Sequence, residues 1–466
     1  MTYQKILQYA VGPVGAAAVS LLTLPVLAHY FSPEDVGRYA IIQVFLSLSI
    51  MLFSLGLHQS YVREYYDYDD KKSLVLMATL PCVVVLAVFF SVYSVIPLSL
   101  SELLLDLESP WVSYLILICV TLSVLINQYA HVLRMQDRAL LFSFSTVLPR
   151  LAFIIAIVVS LYLSQSRDFN DIVLALIISL SATFFLLLVL IPDVRRSFRA
   201  RVDLGFLRKM LSFGLPLTVG GLAFWGMSSI DRFLLKHFSE LSEVAIYSVA
   251  VSFAAAGSIL TTVFITIWHP LVYKWNKEGI EKDKLQMVLN VMLLAVCACW
   301  SLVGFCSWLL KFLLPEYYNL VIYILPLCVS VPLTFLLSEI TQIGINIKRK
   351  TNLAMVITLF ALFVNLAVNF VAIERLGALG AALASAIAFV VFLFARTEVG
   401  HHLMPVFNRK SLYLLVSIYL LYSAVFSVVG TSSDLYFSIW LLPLPIVIYK
   451  LLKALKSFRL MFPVKG

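Results

Sequence analysis

Charge is scarce in this chain of 466 residues: only 13% of them are Asp, Glu, Lys or Arg, about half the share of a soluble domain. With 62% hydrophobic residues and a mean hydropathy of +0.98, that scarcity excludes a soluble globular protein. Cysteine is also sparse. The six (Cys82, Cys119, Cys297, Cys299, Cys306 and Cys328) all fall inside apolar runs, which excludes a disulfide framework and leaves them as small core residues. No His stands near Cys297-x-Cys299. The seven His (29, 58, 131, 237, 269, 401 and 402) show no ligand spacing beyond the adjacent pair His401-His402, so no metal and no cofactor are expected. Long outward segments are missing too, the longest being about 98–111. That argues against a membrane polysaccharide polymerase, which needs sizeable loops for catalysis, and the chain is read as not an enzyme.

Apolar runs fill the space instead. Breaking the sequence at charged or turn-rich clusters gives fourteen spans, near 6–30, 39–60, 74–97, 112–133, 141–164, 172–192, 212–235, 244–270, 285–308, 321–346, 353–373, 377–395, 412–430 and 436–453. A membrane helix needs about 20 apolar residues. The first run is too long for a signal-peptide core of about 7–15 residues, so it is read as an uncleaved helix. Only Glu374-Arg375-Leu376 separates the eleventh span from the twelfth. The expected fold class is an all-α polytopic membrane protein.

The formal charge of +9 would suggest nucleic acid in a soluble chain; here it reports orientation. Of 34 basic residues, 27 fall in alternate segments assigned inside and 5 outside, while 12 acids lie outside and 11 inside. Because the bias recurs loop after loop, it places both termini in the cytoplasm. No nucleic-acid partner is expected.

The basic stretch 193–211 holds six basic residues and divides the chain after the sixth span. It reads as a linker or as a plain topogenic, lipid-contacting stretch. The segment His29-Tyr30-Phe31-Ser32-Pro33-Glu34-Asp35-Val36-Gly37-Arg38-Tyr39 has a counterpart six spans later in Lys236-His237-Phe238-Ser239-Glu240-Leu241-Ser242-Glu243-Val244-Ala245-Ile246-Tyr247. Ile126-Asn127-Gln128 likewise corresponds to Ile340-Thr341-Gln342. Six spans is an even number, so the halves share an orientation, as in transporters that rock about a central site. The expected domains are an N-terminal six-helix bundle (1–192), the linker (193–211), a C-terminal six-helix bundle (212–400), and two added helices with a tail (401–466).

Ionisable residues inside spans cost roughly 2.5–3.5 kcal/mol each on the insertion scale, so they should face a cavity or a partner. Four qualify: Arg150, Asp231, Arg232 and Glu339. Arg150 lies about nine residues, roughly 13 Å, into span 5, too deep for easy snorkelling. It is a candidate anion contact, or one half of a structural pair with Glu339. Asp231 and Arg232 point about 100° apart on a helix and so need separate partners. Asp231 and Glu339 are candidate coupling sites for a proton or Na⁺; an interfacial pair at the helix end is the plainer reading of 231–232. Arg63 and Arg134 follow spans 2 and 4 at the cytoplasmic mouth, as candidate headgroup contacts or solvated loop charges. Pro25 and Pro216 fall in the first helix of each half, where a kink would serve gating or simply pack.

The stretch Leu21-Leu22-Thr23-Leu24-Pro25-Val26-Leu27-Ala28-His29-Tyr30-Phe31-Ser32-Pro33-Glu34-Asp35-Val36-Gly37-Arg38-Tyr39-Ala40 resembles the opening of polysaccharide flippases of the Wzx type. These belong to the multidrug/oligosaccharidyl-lipid/polysaccharide exporter superfamily. Phe213-Gly214-Leu215-Pro216 with Ser229-Ile230-Asp231-Arg232-Phe233-Leu234-Leu235 resembles the start of that family's second half, and Val244-Ala245-Ile246-Tyr247-Ser248-Val249-Ala250 the next helix. Asn365-Leu366-Ala367-Val368-Asn369-Phe370 and Leu376-Gly377-Ala378-Leu379-Gly380-Ala381-Ala382-Leu383-Ala384-Ser385 resemble spans eleven and twelve. The resemblance implies a bacterial inner-membrane flippase of undecaprenyl-pyrophosphate-linked oligosaccharide for O-antigen, lipopolysaccharide or capsule synthesis, with cation antiport. It further implies membrane lipids, a polysaccharide polymerase and a chain-length regulator as partners. Asp231 and Arg232 match the family's acid-basic pair; Arg150 and Glu339 rest on burial alone. A drug or cation exporter of the same superfamily is the competing reading.

Overall fold

A computed structural model describes residues 3–96, 99–163, 167–279, 282–430 and 434–461, and among them there is no strand. The side chains of Lys5, Pro13, Arg459 and Lys465 lie outside the described residues. The helices are α1 (Tyr3–Tyr30), α2 (Pro33–Phe53), α3 (Leu57–Glu64), α4 (Lys71–Val95), α5 (Leu100–Leu105), α6 (Pro110–Met135), α7 (Ala139–Leu163), α8 (Phe169–Leu190), α9 (Pro192–Ser197) and α10 (Leu204–Ser229). They continue as α11 (Asp231–Phe238), α12 (Leu241–Ala254), α13 (Ala256–Glu278), α14 (Lys282–Cys306), α15 (Asn319–Thr341), α16 (Ile343–Ile347), α17 (Thr351–Leu403), α18 (Lys410–Val429) and α19 (Leu444–Met461).

Among the described residues, twelve helical stretches are long and apolar enough to cross a membrane, and Val14–Tyr30 is a shorter apolar one. One of the twelve, α17, is 53 residues long and is interrupted at Gly377, whose φ of 52° and ψ of −129° lie outside helical space. A Cβ on Gly380 would meet the backbone of Ala372 and Ile373. In a straight helix residues 372 and 380 stand about 12 Å apart, so the chain reverses here and α17 is two spans. Fourteen apolar segments result, in the order expected from the sequence, which makes this a multi-pass membrane protein.

Glycine is needed at this corner, because the φ/ψ pair is one that side chains with a Cβ avoid. A Cβ would also press on the carboxylate of Glu243, whose Oε2 accepts from the Ala378 amide at 2.7 Å and so caps the returning helix. Gly377→Ala is therefore expected to cost about 1–3 kcal/mol. A lowered thermal midpoint of the purified protein in detergent checks this.

The chain divides into two compact units, Met1–Trp225 and Gly226–Gly466. In the first, the sequence-predicted span 39–60 is broken between α2 and α3, where Leu55 and Gly56 have φ of 51° and 65°. The break admits α10: Gly214 backbone lies against Gly56, Ser60 Oγ donates to the Met210 carbonyl at 2.7 Å, and Trp225 Nε1 donates to Ser47 Oγ at 2.9 Å. Most of α10 thus belongs to the first unit.

In the second unit α15 is the most buried span, packed against α12, α13, α14, α17 and α18. Trp300 donates to Ser423 Oγ at 3.0 Å, and Ser301 and Tyr419 share a hydrogen bond of 2.8 Å, so α18 is joined to α14 by polar bonds as well as by packing. In a membrane such bonds have little water to compete with and help fix which helices meet.

Candidate functional site

Two polar clusters lie inside the second unit. The first centres on Asp231, the opening residue of α11, which has no exposed surface. Its span breaks at Ile230, so α10 stops and a new helix begins at the carboxylate. Tyr247 Oη on α12 donates to Asp231 Oδ2 at 2.8 Å, Asn369 Nδ2 on α17 donates to Oδ1 at 2.7 Å, and Ser385 Oγ on the returning half of α17 donates to Oδ2. Among the described residues no Lys, Arg or His stands within salt-bridge distance of this carboxylate. Neutral donors therefore carry the stabilisation of its charge, each such bond being stronger than one between neutral partners.

Arg232 turns away from Asp231, as the helical angle requires. Its Nε donates to Ser248 Oγ at 3.1 Å and its guanidinium lies 5.6 Å from the ring centre of Tyr247, the residue whose hydroxyl binds Asp231. Asn369 Nδ2 also reaches Asn365 Oδ1 at 3.0 Å, and Asn369 Oδ1 and Asn365 Nδ2 are buried without partners. A buried unpartnered carbonyl costs about 1–3 kcal/mol, so this cluster is built at an energetic loss. The sequence alone marks Asp231 and Arg232 but not Tyr247, Asn365, Asn369 or Ser385. The one available signal is the pair of amides spaced four apart, on one face of an apolar span.

The second cluster surrounds Glu339, near the end of α15. Arg396 Nη1 lies 2.7 Å from Glu339 Oε1 and 3.2 Å from Ser338 Oγ, and its guanidinium stacks 4.0 Å from the Phe392 ring centre. His269 Nε2 on α13 stands 3.3 Å from Glu339 Oε2, outside hydrogen-bond geometry. Thr397 Oγ1 donates to Thr341 Oγ1 at 2.8 Å beside them. Hydropathy ends this span at residue 395 and so puts Arg396 in a loop. The helix instead continues to Leu403, and Arg396 is 9% exposed. Ser385 and Arg396 are eleven residues apart on one helix, so the two clusters are separated by roughly 16 Å along it.

The remaining candidates lie in the first unit and do not converge. Arg150, on α7 immediately after Pro149, is exposed, with Nη1 3.4 Å from the Thr146 carbonyl and no carboxylate within salt-bridge distance among the described residues. Arg63 on α3 stacks 4.2 Å from the Phe213 ring and approaches Glu64 at 3.7 Å. Glu64 is buried and receives Lys209 Nζ at 2.5 Å, which ties α3 to α10. Arg134 is exposed in the last turn of α6. No group of three or more His, Cys, Asp or Glu able to hold a metal occurs among the described residues.

The fold is similar to several solved transporters. The lipid II flippase MurJ in an inward closed conformation matches with a TM-score of 0.71 at 13% identity, over 97% of this chain and 99% of that one. An inward-facing multidrug resistance MATE family transporter of the MOP superfamily matches with a TM-score of 0.57 at 16% identity, over 91% and 96%. A MOP superfamily transporter from Pyrococcus furiosus matches with a TM-score of 0.54 at 15% identity, over 85% and 95%. Identities this low show the fold alone. No curated protein sequence matches the chain. The family model described as "Polysaccharide biosynthesis protein" matches residues 3–275, more than half of the sequence. The chain belongs to that polysaccharide biosynthesis family, built on the fold of MOP transporters.

Proposed function

We propose that the protein flips an undecaprenyl-pyrophosphate-linked oligosaccharide from the cytoplasmic to the outer leaflet of a bacterial inner membrane, by alternating access driven by a proton or Na⁺. The observation that carries the anionic substrate is Arg150. An unpaired guanidinium midway along an apolar helix is tolerated only where it faces water or an anion, and its planar fork suits a phosphate. Membership of the polysaccharide family supports a lipid-linked glycan over a drug. Arg232 is the second proposed contact, with Arg63 and Arg134 receiving the headgroup at the cytoplasmic mouth.

The Asp231 cluster is the proposed coupling site. A buried carboxylate with no basic partner among the described residues, ringed by hydroxyl and amide oxygens including the unpartnered Asn369 Oδ1, supplies the oxygen donors that a hard cation prefers. A proton meets the same need by neutralising the charge. Glu339 is the less favoured coupling site, since Arg396 already balances it.

Arg150→Ala is expected to lower surface polymer in a deletion strain by about 10- to 100-fold, the worth of one or two charge-assisted bonds. Arg150→Lys should restore part of it if charge alone suffices and little if bidentate geometry matters. Normal polymer in Arg150→Ala would sink the assignment, and drug resistance on overexpression without any glycan defect would favour an exporter.

A further inference from the structure

A group of cations lines a cavity in the first unit. The span α4 begins at Lys71 and the span α8 ends at Leu190, so their ends and the short helix α9 mark one boundary of the apolar layer. Here Lys72, Arg196, Arg199 and Arg201, with Asp70 and Ala200, line a cavity of about 530 Å³. Among the described residues none of these four cations has a carboxylate within salt-bridge distance. The acid in the cavity is already engaged, since Asp70 Oδ1 accepts from the amides of Lys72 at 3.2 Å and Ser73 at 3.4 Å. Lys71 does not join the group; its Nζ donates to the carbonyls of Tyr65 and Tyr68.

The frame is held. Ser73 Oγ donates to the Arg201 carbonyl, and Val194 and Ser197 bury the inner face of α9 against the unit while Arg196 stays exposed. Four like charges converging on one cavity repel one another unless an anion joins them. We propose that Lys72, Arg196, Arg199 and Arg201 bind the phosphate of an anionic lipid headgroup. Three guanidinium forks and an ammonium match phosphate oxygens, and a basic pocket at the end of membrane spans is where such headgroups sit. This face then meets the headgroup layer, whatever the protein transports.

The test is native mass spectrometry of the full-length protein in mild detergent, with phosphatidylglycerol, cardiolipin or phosphatidylcholine added. The wild type should retain the anionic lipids, and the R196Q/R199Q/R201Q variant should bind them on the order of a hundredfold more weakly, with phosphatidylcholine unchanged. A charge-matched control, K274Q/K277Q/K282Q, should keep wild-type retention. Equal retention by the two triple variants, whether both high or both low, would overturn the site. Should R196Q/R199Q/R201Q not purify, Lys72→Gln and Arg199→Gln are each expected to lower retention several-fold, and unchanged retention in both would overturn it. Displacement of the lipid by millimolar inorganic pyrophosphate would transfer the site to soluble phosphates and overturn the lipid as occupant; its persistence supports the lipid.

Discussion

Asp231→Asn is expected to reduce transport to a few per cent of wild type and to abolish its dependence on the driving cation. The reason is local. Tyr247, Asn369 and Ser385 each point a donor at this carboxylate, and among the described residues no basic side chain is within salt-bridge distance to balance it. Asn keeps the shape and one acceptor but turns an amide toward donors, at a cost of about 1–3 kcal/mol. The fold should survive that cost, while the charge that attracts a cation is gone. A binding cation raises the thermal midpoint of the wild type in proportion to the logarithm of its concentration. That shift, with Na⁺ or with falling pH, should vanish in Asp231→Asn and weaken in Tyr247→Phe and Ser385→Ala. An unaltered shift in Asp231→Asn would remove the cluster from the coupling step.

The largest stability effect is expected at Arg396. Truncating one partner of a buried ion pair leaves the other charge unbalanced, typically at about 3–5 kcal/mol. Arg396→Ala should therefore lower the thermal midpoint further than either Gly377→Ala or Asp231→Asn. The double variant Arg396→Met with Glu339→Leu should be far more stable than either of those changes alone, because replacing both charges by apolar groups of similar volume is close to neutral in other buried pairs. Wild type, the two single variants and the double form a double-mutant cycle, and additive losses would mean that the 2.7 Å contact carries no coupling.

How much of this was legible in the sequence follows from what hydropathy can see. All fourteen apolar segments were, because a span must be apolar along about 20 residues whatever it packs against. The corner at Gly377 was marked only by the charges of Glu374 and Arg375. Arg396 was hidden for the opposite reason: hydropathy falls where charges begin, and here the helix runs on past that edge to Leu403. Asp231 stood out as an ionisable residue in a span, yet its partners did not. Tyr247, Ser385 and the two Asn residues are ordinary in membrane helices, and only packing brings α12 and both halves of α17 to α11. The break at Leu55-Gly56 was invisible because its cause, the close approach of Gly214, lies about 160 residues away in sequence.

Cation-driven flipping of a lipid-linked oligosaccharide can be measured in proteoliposomes. The measurement is the rate at which a lipid-linked oligosaccharide placed in one leaflet becomes accessible in the other, with and without an imposed Na⁺ or proton gradient. The wild type should flip it several-fold faster with the gradient, Asp231→Asn should be indifferent to the gradient, and Arg150→Ala should be slow under both conditions. A wild-type rate equal to that of empty vesicles, with or without the gradient, would rule out cation-driven flipping of this substrate.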